Sequence, residues 1–239
     1  MQNLIKQKII AAYETLAERY SQLIEHKPHN AYYDRPNTLA LMGDVAGKNI
    51  LDAACGPGKY AEILMEKGAT VTGFDISVKM IGQARKRNGA KGDFFVHDMA
   101  EPFDMFEDQS FDMVLCALAL GYVEDWTLTM REFCRVLKPG GQLVASVQHP
   151  FFDYNYYKAK NYFNTEPVKG VWKGFGAPVE VHCYRRSLGE HIAPIVSNGF
   201  LIDQLTEPLP TREFEALDPR HYKELNEFPS FMCIRAVKR

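Results

Sequence analysis

The sequence predicts an α/β protein with a parallel, doubly wound sheet, and three observations carry that prediction. Short apolar runs alternate with helical patterns between residues 49 and 148. The first run ends in a glycine-rich turn, Gly56-Pro57-Gly58, that opens a helix. The next two runs are each followed by an aspartate, Asp75 and Asp98. Sheets of this kind bind ligands outside the carboxyl ends of their strands, so the residues just after each run are the ones to inspect.

The elements follow in order. Ile9, Tyr13, Leu16, Tyr20 and Leu23 recur at steps of four and three, which places them on one helix face. Pro28 stops that helix near His26. Asn30 to Asn37 reads as a loop, and Thr38 to Val45 as a short helix. Asn49 to Ala53 is a buried strand, and Lys59 to Lys67 a helix closed by Gly68. Thr70 to Phe74 is a second strand. Ser77 caps the helix that runs to Arg87. Asp93 to His97 and Phe111 to Cys116 are the third and fourth strands. Trp126, Met130, Phe133 and Leu137 share a helix face, Lys138 to Gly141 is a turn, and Gln142 to Val147 is the fifth strand. Residues 150–185 break the rhythm with nine aromatics, from Phe151 to Phe175, and read as an insertion over the sheet edge. Ser187 and Glu190 form a capping box for a helix containing Pro194, and Phe200 to Leu205 and Ser230 to Val237 are two last strands. The organisation expected is one domain: a helical cap over 1–46, a ligand-binding core over 47–149, a substrate-side insertion over 150–185, and a closing helix and strands over 186–239.

Composition narrows the function. The chain has 239 residues, 46% hydrophobic and 24% charged, with a net charge of −2. The basic runs, Arg85-Lys86-Arg87 and Lys238-Arg239, are too short for a nucleic-acid footprint. The five cysteines are odd in number and show no C-x-x-C pair, which argues for reduced thiols rather than disulfides or a zinc site, and so for the cytoplasm. Met1 to Lys6 lacks a signal-peptide core, and no apolar run reaches membrane-spanning length. Neither a metal nor a membrane partner is expected, and composition leaves the oligomeric state open.

The turn and the aspartates suit a nucleoside cofactor. Gly56 and Gly58 let the backbone approach a ligand, Asp75 is placed to accept from ribose hydroxyls, and Asp98 from an adenine amine, with Ile76 and Met99 on the faces of the ring. Gly56 to Ala61 also matches G-x-G-x-x-A, so these residues alone admit a nicotinamide-dependent oxidoreductase.

The wider segments discriminate. Leu51-Asp52-Ala53-Ala54-Cys55-Gly56-Pro57-Gly58 resembles the first motif of the class I S-adenosylmethionine (SAM)-dependent methyltransferases. Val71 to Ser77, Val96 to Met99, Ser110 to Val114 and Arg135 to Gly141 are similar to four further motifs, in order, and the resemblance covers residues 47–148. It implies a Rossmann-like seven-stranded sheet with an antiparallel last strand, SAM as cofactor with S-adenosylhomocysteine (SAH) as product, and a small-molecule acceptor. Carried over by position, Asp52, Gly56 and Gly58 border the methionine part, Asp75 the ribose, Asp98 and Met99 the adenine, and Cys116 and Ala117 the sulfonium side of the cleft, with Ala54 and Ile76 also counted as cofactor-binding. Two departures stand out. Ala54-Cys55 replaces the frequent Gly-Cys or Gly-Ser, and Gly121-Tyr122 stands where many relatives have a histidine. The N-P-P-[YF] signature of nucleobase amino methyltransferases is absent at Cys116-Ala117-Leu118-Ala119.

Methyl transfer is an in-line displacement, and positioning supplies much of its acceleration. A base is needed only when the acceptor must lose a proton. His149, just after the fifth strand, is the expected base, with Tyr122, Glu124, Asp153 and His182 behind it. Tyr20, Tyr33 and Arg35 are expected to close over the cofactor, and the aromatic insertion to pocket a partly apolar acceptor. A SAM-binding module without catalysis remains the third alternative. A thermal-shift screen separates the SAM-binding readings from the oxidoreductase: SAM or SAH raises Tm and a nicotinamide cofactor does not, while the module would bind SAM yet transfer no methyl group. The reverse result selects the oxidoreductase.

Overall fold

A computed structural model describes residues 2–239. Helix α1 (Gln2–Leu23) lays Ile9, Ala12, Leu16 and Ala17 onto the body of the protein. Asn30–Asp34, expected as a loop, is instead one π-helical turn that runs directly into α2 (Arg35–Met42). Pro36 does not break α2 because it falls in the first turn, where a missing N–H costs no hydrogen bond.

The core then alternates: β1 (Asn49–Ala53), α3 (Lys59–Glu66), β2 (Thr70–Asp75), α4 (Val78–Asn88), β3 (Asp93–Val96), β4 (Phe111–Ala117), α5 (Thr127–Val136) and β5 (Leu137–Gln148). The turn expected at 138–141 is absorbed into β5, with a register irregularity opposite Phe111 and Met113. Beyond it come α6 (Pro150–Tyr156), β6 (Glu166–Trp172), β7 (Val179–Arg185), α7 (Leu188–Ser197), β8 (Phe200–Thr206), α8 (Arg212–Leu217), α9 (Pro219–Glu227) and β9 (Phe231–Lys238). The short polar helices α8 and α9 were not expected from the sequence.

Seven strands form one sheet in the order β3-β2-β1-β4-β5-β9-β8. Strands β1 to β5 pair in parallel, and β9 enters antiparallel between β5 and β8. Each face is covered. One core gathers Leu51, Val114, Phe133 and Ile234, and the other Ile50, Leu64, Leu115 and Ile81. The alternation of side chains along a strand divides neighbours such as Ile50 and Leu51 between them. The insertion is a separate antiparallel hairpin, β6 with β7, preceded by α6. Its inner face packs Val181 and Phe175 against Ala12 and Leu16 of α1. Among the described residues no helix is long and apolar enough to cross a membrane.

Helix α1 is also fastened by polar contacts. Ser77 Oγ accepts from Met80 N at 3.1 Å, capping α4, and donates to Glu14 Oε1 at 2.6 Å. Arg87, in the last turn of α4, pairs with Glu25 and donates to Ser21 O at 2.9 Å. Replacing Ser77 by Ala removes both a cap and the Glu14 bond. Chemical denaturation of that variant is expected to show a loss of about 1–2 kcal/mol. A loss below a few tenths would mean that neither contact stabilises the fold.

Candidate functional site

The site begins where β1 ends. Ala54, Gly56 and Gly58 have φ of +58°, +54° and +75°, so the chain takes the left-handed conformation three times in five residues. Cys55 N donates to Phe74 O at 2.8 Å and Gly58 N to Cys55 O at 3.0 Å, which ties the turn to β2. The two glycines do different work. A Cβ on Gly56 would meet nothing within 4 Å, so that residue faces open space. A Cβ on Gly58 would lie 3.1 Å from the Ala84 backbone, so that residue lets α4 approach. Gly58 is absent from the cavity wall described below, and its role is helix packing.

Asp75 braces the same turn. Its Oδ2 accepts from Gly56 N at 3.0 Å and its Oδ1 from Ser77 N at 2.9 Å. Burial raises its pKa to about 6 against the pull of those two donors. Asp52, on the neighbouring strand, is only 2% exposed, and its Oδ2 has no hydrogen-bond partner. Burial, together with the Asp75 charge, raises its pKa to about 7. An opposite feature comes from α2. Arg35 is 7% exposed, donates from Nη2 to Ile24 O at 2.7 Å, and has an unpartnered Nε. No carboxylate among the described residues lies within ion-pair distance of it.

All three residues line one cavity of about 1370 Å³ at the carboxyl edge of the sheet. A single drug-sized ligand occupies roughly 300–1,000 Å³, so the space is ample for two ligands together. At one end stand Ala54, Ile76, Asp98, Met99 and Ala117. Asp98 Oδ1 accepts from Ala100 N at 2.9 Å, and its Oδ2 pairs with Lys6 of α1. At the other end stand Tyr20 of α1, Tyr157 just after α6, and Trp172 and Phe175 of the hairpin. Tyr13 and Tyr122 join their hydroxyls at 2.5 Å between the two ends.

The expected site residues divide accordingly. Asp52, Ala54, Gly56, Asp75, Ile76, Asp98, Met99 and Ala117 share the cavity, as do Tyr20, Arg35, Tyr122 and Glu124. Cys116 does not line it, because alternation along β4 turns that side chain into the core with no exposure. His149 does not line it either. Its Nδ1 accepts from Phe151 N at 3.2 Å as the cap of α6, and its Nε2 lies 2.9 Å from Glu207. Both ring nitrogens are engaged, which corrects the expectation that His149 serves as a base. His182 pairs with Glu180, Tyr33 accepts from Ser230 N, and buried Asp153 lies outside the wall. Sequence reading missed Lys6, Lys27, His29 and Leu118, all of which line the cavity. Leu118 has φ of +53°, a strain with no sequence signature.

A family model described as a methyltransferase domain matches residues 51–145. The chain is 30% identical over 207 residues to a ubiquinone biosynthesis O-methyltransferase of Pseudomonas syringae pv. tomato, covering 83% of this chain and 88% of that one. Among solved structures, a SAM-dependent methyltransferase from Mesorhizobium loti superposes with a TM-score of 0.70 at 24% identity, covering 90% of this chain and 100% of that one. A geranyl diphosphate C-methyltransferase from Streptomyces coelicolor, solved with SAH, superposes with a TM-score of 0.68 at 14% identity over 98% of each chain.

Ala54 carries a Cβ in a left-handed conformation at the centre of this site. The variant Ala54→Gly relieves that conflict at some cost in unfolded-chain entropy, and the net expectation is a gain of about 1 kcal/mol. Thermal denaturation then reads a rise of roughly 2–4 °C. An unchanged or lower Tm would show that the turn holds no such strain.

Proposed function

Because the chain belongs to the class I SAM-dependent methyltransferases, we propose that its cavity holds SAM against Asp52, Asp75 and Asp98 and presents the methyl group to a small, partly apolar acceptor under the aromatic hairpin. One observation carries the assignment. A buried carboxylate oxygen of Asp52 and a buried guanidinium nitrogen of Arg35, both without partners, line one cavity. Leaving either group unpaired and buried is costly, and a zwitterionic amino-acid moiety satisfies both at once.

The remaining contacts follow from unused hydrogen-bonding capacity. Arg35 lies 5.9 Å from the Tyr60 ring in the first turn of α3, which favours it for the methionine carboxylate beside the glycine turn. Asp52 and Asp75 set negative charge under the cationic half of the cofactor. Each oxygen of Asp75 and Asp98 accepts one protein contact and retains a lone pair, for ribose hydroxyls and the adenine amine respectively. Met99, held by Thr129 Oγ1 donating to its carbonyl at 2.9 Å, and Ile76 supply apolar surface for the ring.

SAM supplies an electrophilic methyl group on a neutral leaving group. The chain's own contribution is positioning and exclusion of water. The tyrosines at the junction stay neutral, since burial raises Tyr13 and Tyr122 above the ordinary phenol range. With the Tyr13 hydroxyl donating to Tyr122, the Tyr122 proton is free to orient an acceptor lone pair. The five unpaired thiols support a reducing compartment, which we take to be the cytoplasm. The weak basic footprint favours a small acceptor over a nucleic acid.

The carboxylates make cofactor binding proton-linked. In the ligand-free protein Asp52, with a pKa of about 7, is largely protonated below that pH. Because the folded-state pKa exceeds the unfolded value, its contribution to stability falls as pH rises from about 4 to 7. A cationic ligand favours the ionised form and offsets that loss. Titration calorimetry in buffers of different ionisation enthalpy is expected to show proton release on SAM binding near pH 6.5. The affinity should weaken by up to about tenfold per pH unit below 7. Asp52→Asn should abolish the proton release. An unchanged release in that variant would remove Asp52 from the cofactor site.

A further inference from the structure

The cavity wall carries four lysines, and two of them, Lys27 and Lys173, pair with no carboxylate among the described residues. Lys6 and Lys59 also line the cavity, and each is doubly paired, Lys6 with Asp98 and Glu101 and Lys59 with Glu25 and Glu62. Lys27 is different. Among the described residues no carboxylate lies within ion-pair distance of its ammonium. Its Nζ donates to Gly174 O at 3.1 Å and rests 4.4 Å from the centre of the Phe175 ring. Burial lowers its pKa without any compensating charge.

Four further acids of the wall hold other partners. Asp34 accepts from Tyr60 at 2.6 Å and from Thr38 at 3.2 Å. Asp125 accepts from Thr127, Glu224 pairs with Arg220, and Glu124 is hydrogen-bonded to Tyr184. None of these acids lies within ion-pair distance of Lys27.

The surroundings of Lys27 are aromatic. Tyr20 stacks on Phe175 at 4.9 Å, Trp172 lies 5.6 Å from Phe175, and Tyr13 lies 6.2 Å from Trp172. A box of this kind could serve a cationic acceptor through its ring faces, but here a resident ammonium already covers Phe175. A second cation would meet repulsion, whereas a flat anion would find both ring surface and a counter-charge. Three protons on Nζ allow Lys27 to keep its bond to Gly174 while donating to a ligand.

We propose that the methyl acceptor is an aromatic acid, its ring lying against Tyr20, Trp172 and Phe175 and its carboxylate paired with the Lys27 ammonium. This inference rests on the cofactor assignment above, which leaves Arg35 to the methionine carboxylate and Lys27 to the acceptor.

The test uses the full chain saturated with SAH and three probes of one shape: 3-hydroxybenzoate, 3-hydroxybenzamide and 3-hydroxybenzylamine. Calorimetry is expected to show the acid binding about tenfold or more tighter than the amide and the amine. Lys27→Met keeps the packing stem, and should bring acid and amide to within about threefold. Lys27→Arg should retain the preference. The proposal is overturned if the amide or amine binds as well as the acid, if no probe binds, or if Lys27→Met lowers Tm while leaving the preference intact, the mark of a residue that only fastens the hairpin tip. Titrating SAH alone separates the two levels. Failure to bind SAH sinks the cofactor assignment, while SAH binding without an acid preference sinks only the acceptor class.

Discussion

The structure is organised around two carboxylates buried side by side at the carboxyl ends of adjacent parallel strands. The β1–β2 register aligns Asp52 with Gly73 and Ala53 with Phe74, so Asp52 and Asp75 come close enough for the charge on Asp75 to raise the pKa of Asp52. Gly73 holds that register because any Cβ would come within 2.8 Å of the Phe94 ring and 3.1 Å of Cys55 Sγ. Buried like charges are unfavourable in isolation. Gly56 N of the glycine turn and Ser77 N at the cap of α4 answer part of the demand, both on Asp75. Asp52 Oδ2 is left without a partner on the cavity wall.

Legibility followed the range of the interactions involved. Strand β1 was read with its observed bounds, and the caps at Ser77 and Ser187 and the stop of α3 were read correctly, because each depends on neighbours within a few residues; of the capping box expected at Ser187 only the bond from Glu190 N to Ser187 Oγ forms. Most of the strand-end residues singled out in the sequence line one cavity for a similar reason: they follow directly after strands, where chain order and spatial order coincide. The failures were nonlocal. His149 follows a strand too, yet Glu207, far along the chain, holds one nitrogen while the α6 cap holds the other. Lys27 carries meaning only through Gly174 and Phe175 of the hairpin. Cys116 and Ala117 were both placed in the cleft, although alternation admits only one of two consecutive strand residues.

The hairpin and α1 close the cavity by different means. Helix α1 and the segment just after it are joined to α3 and α4 by polar contacts, Glu14 with Ser77 and Glu25 with Lys59 and Arg87. The hairpin meets α1 through ring faces, with Tyr20 on Phe175 and Tyr13 on Trp172. Aromatic contacts of this type contribute roughly 0.5–1.5 kcal/mol each beyond burial, enough to hold a roof and small enough for local opening. One part of the cavity is thus walled by strand ends and the glycine turn, the other by packed aromatic rings of α1 and the hairpin.

The placement of β9 has a consequence for how the molecule is made. β8 precedes β9 in the chain, yet its only partner in the sheet is β9, which lies between it and β5. During synthesis β8 therefore leaves the ribosome with nothing to pair with, carrying exposed Leu201 and Leu205 on an unclaimed edge. At ordinary translation speeds the residues that complete β9 follow only after about two to six seconds. For that interval the nascent chain presents a sticky, unsatisfied strand beside an otherwise complete parallel core, and the charged pair Asp203 and Arg235, which joins β8 to β9, rewards the correct arrival over a foreign strand.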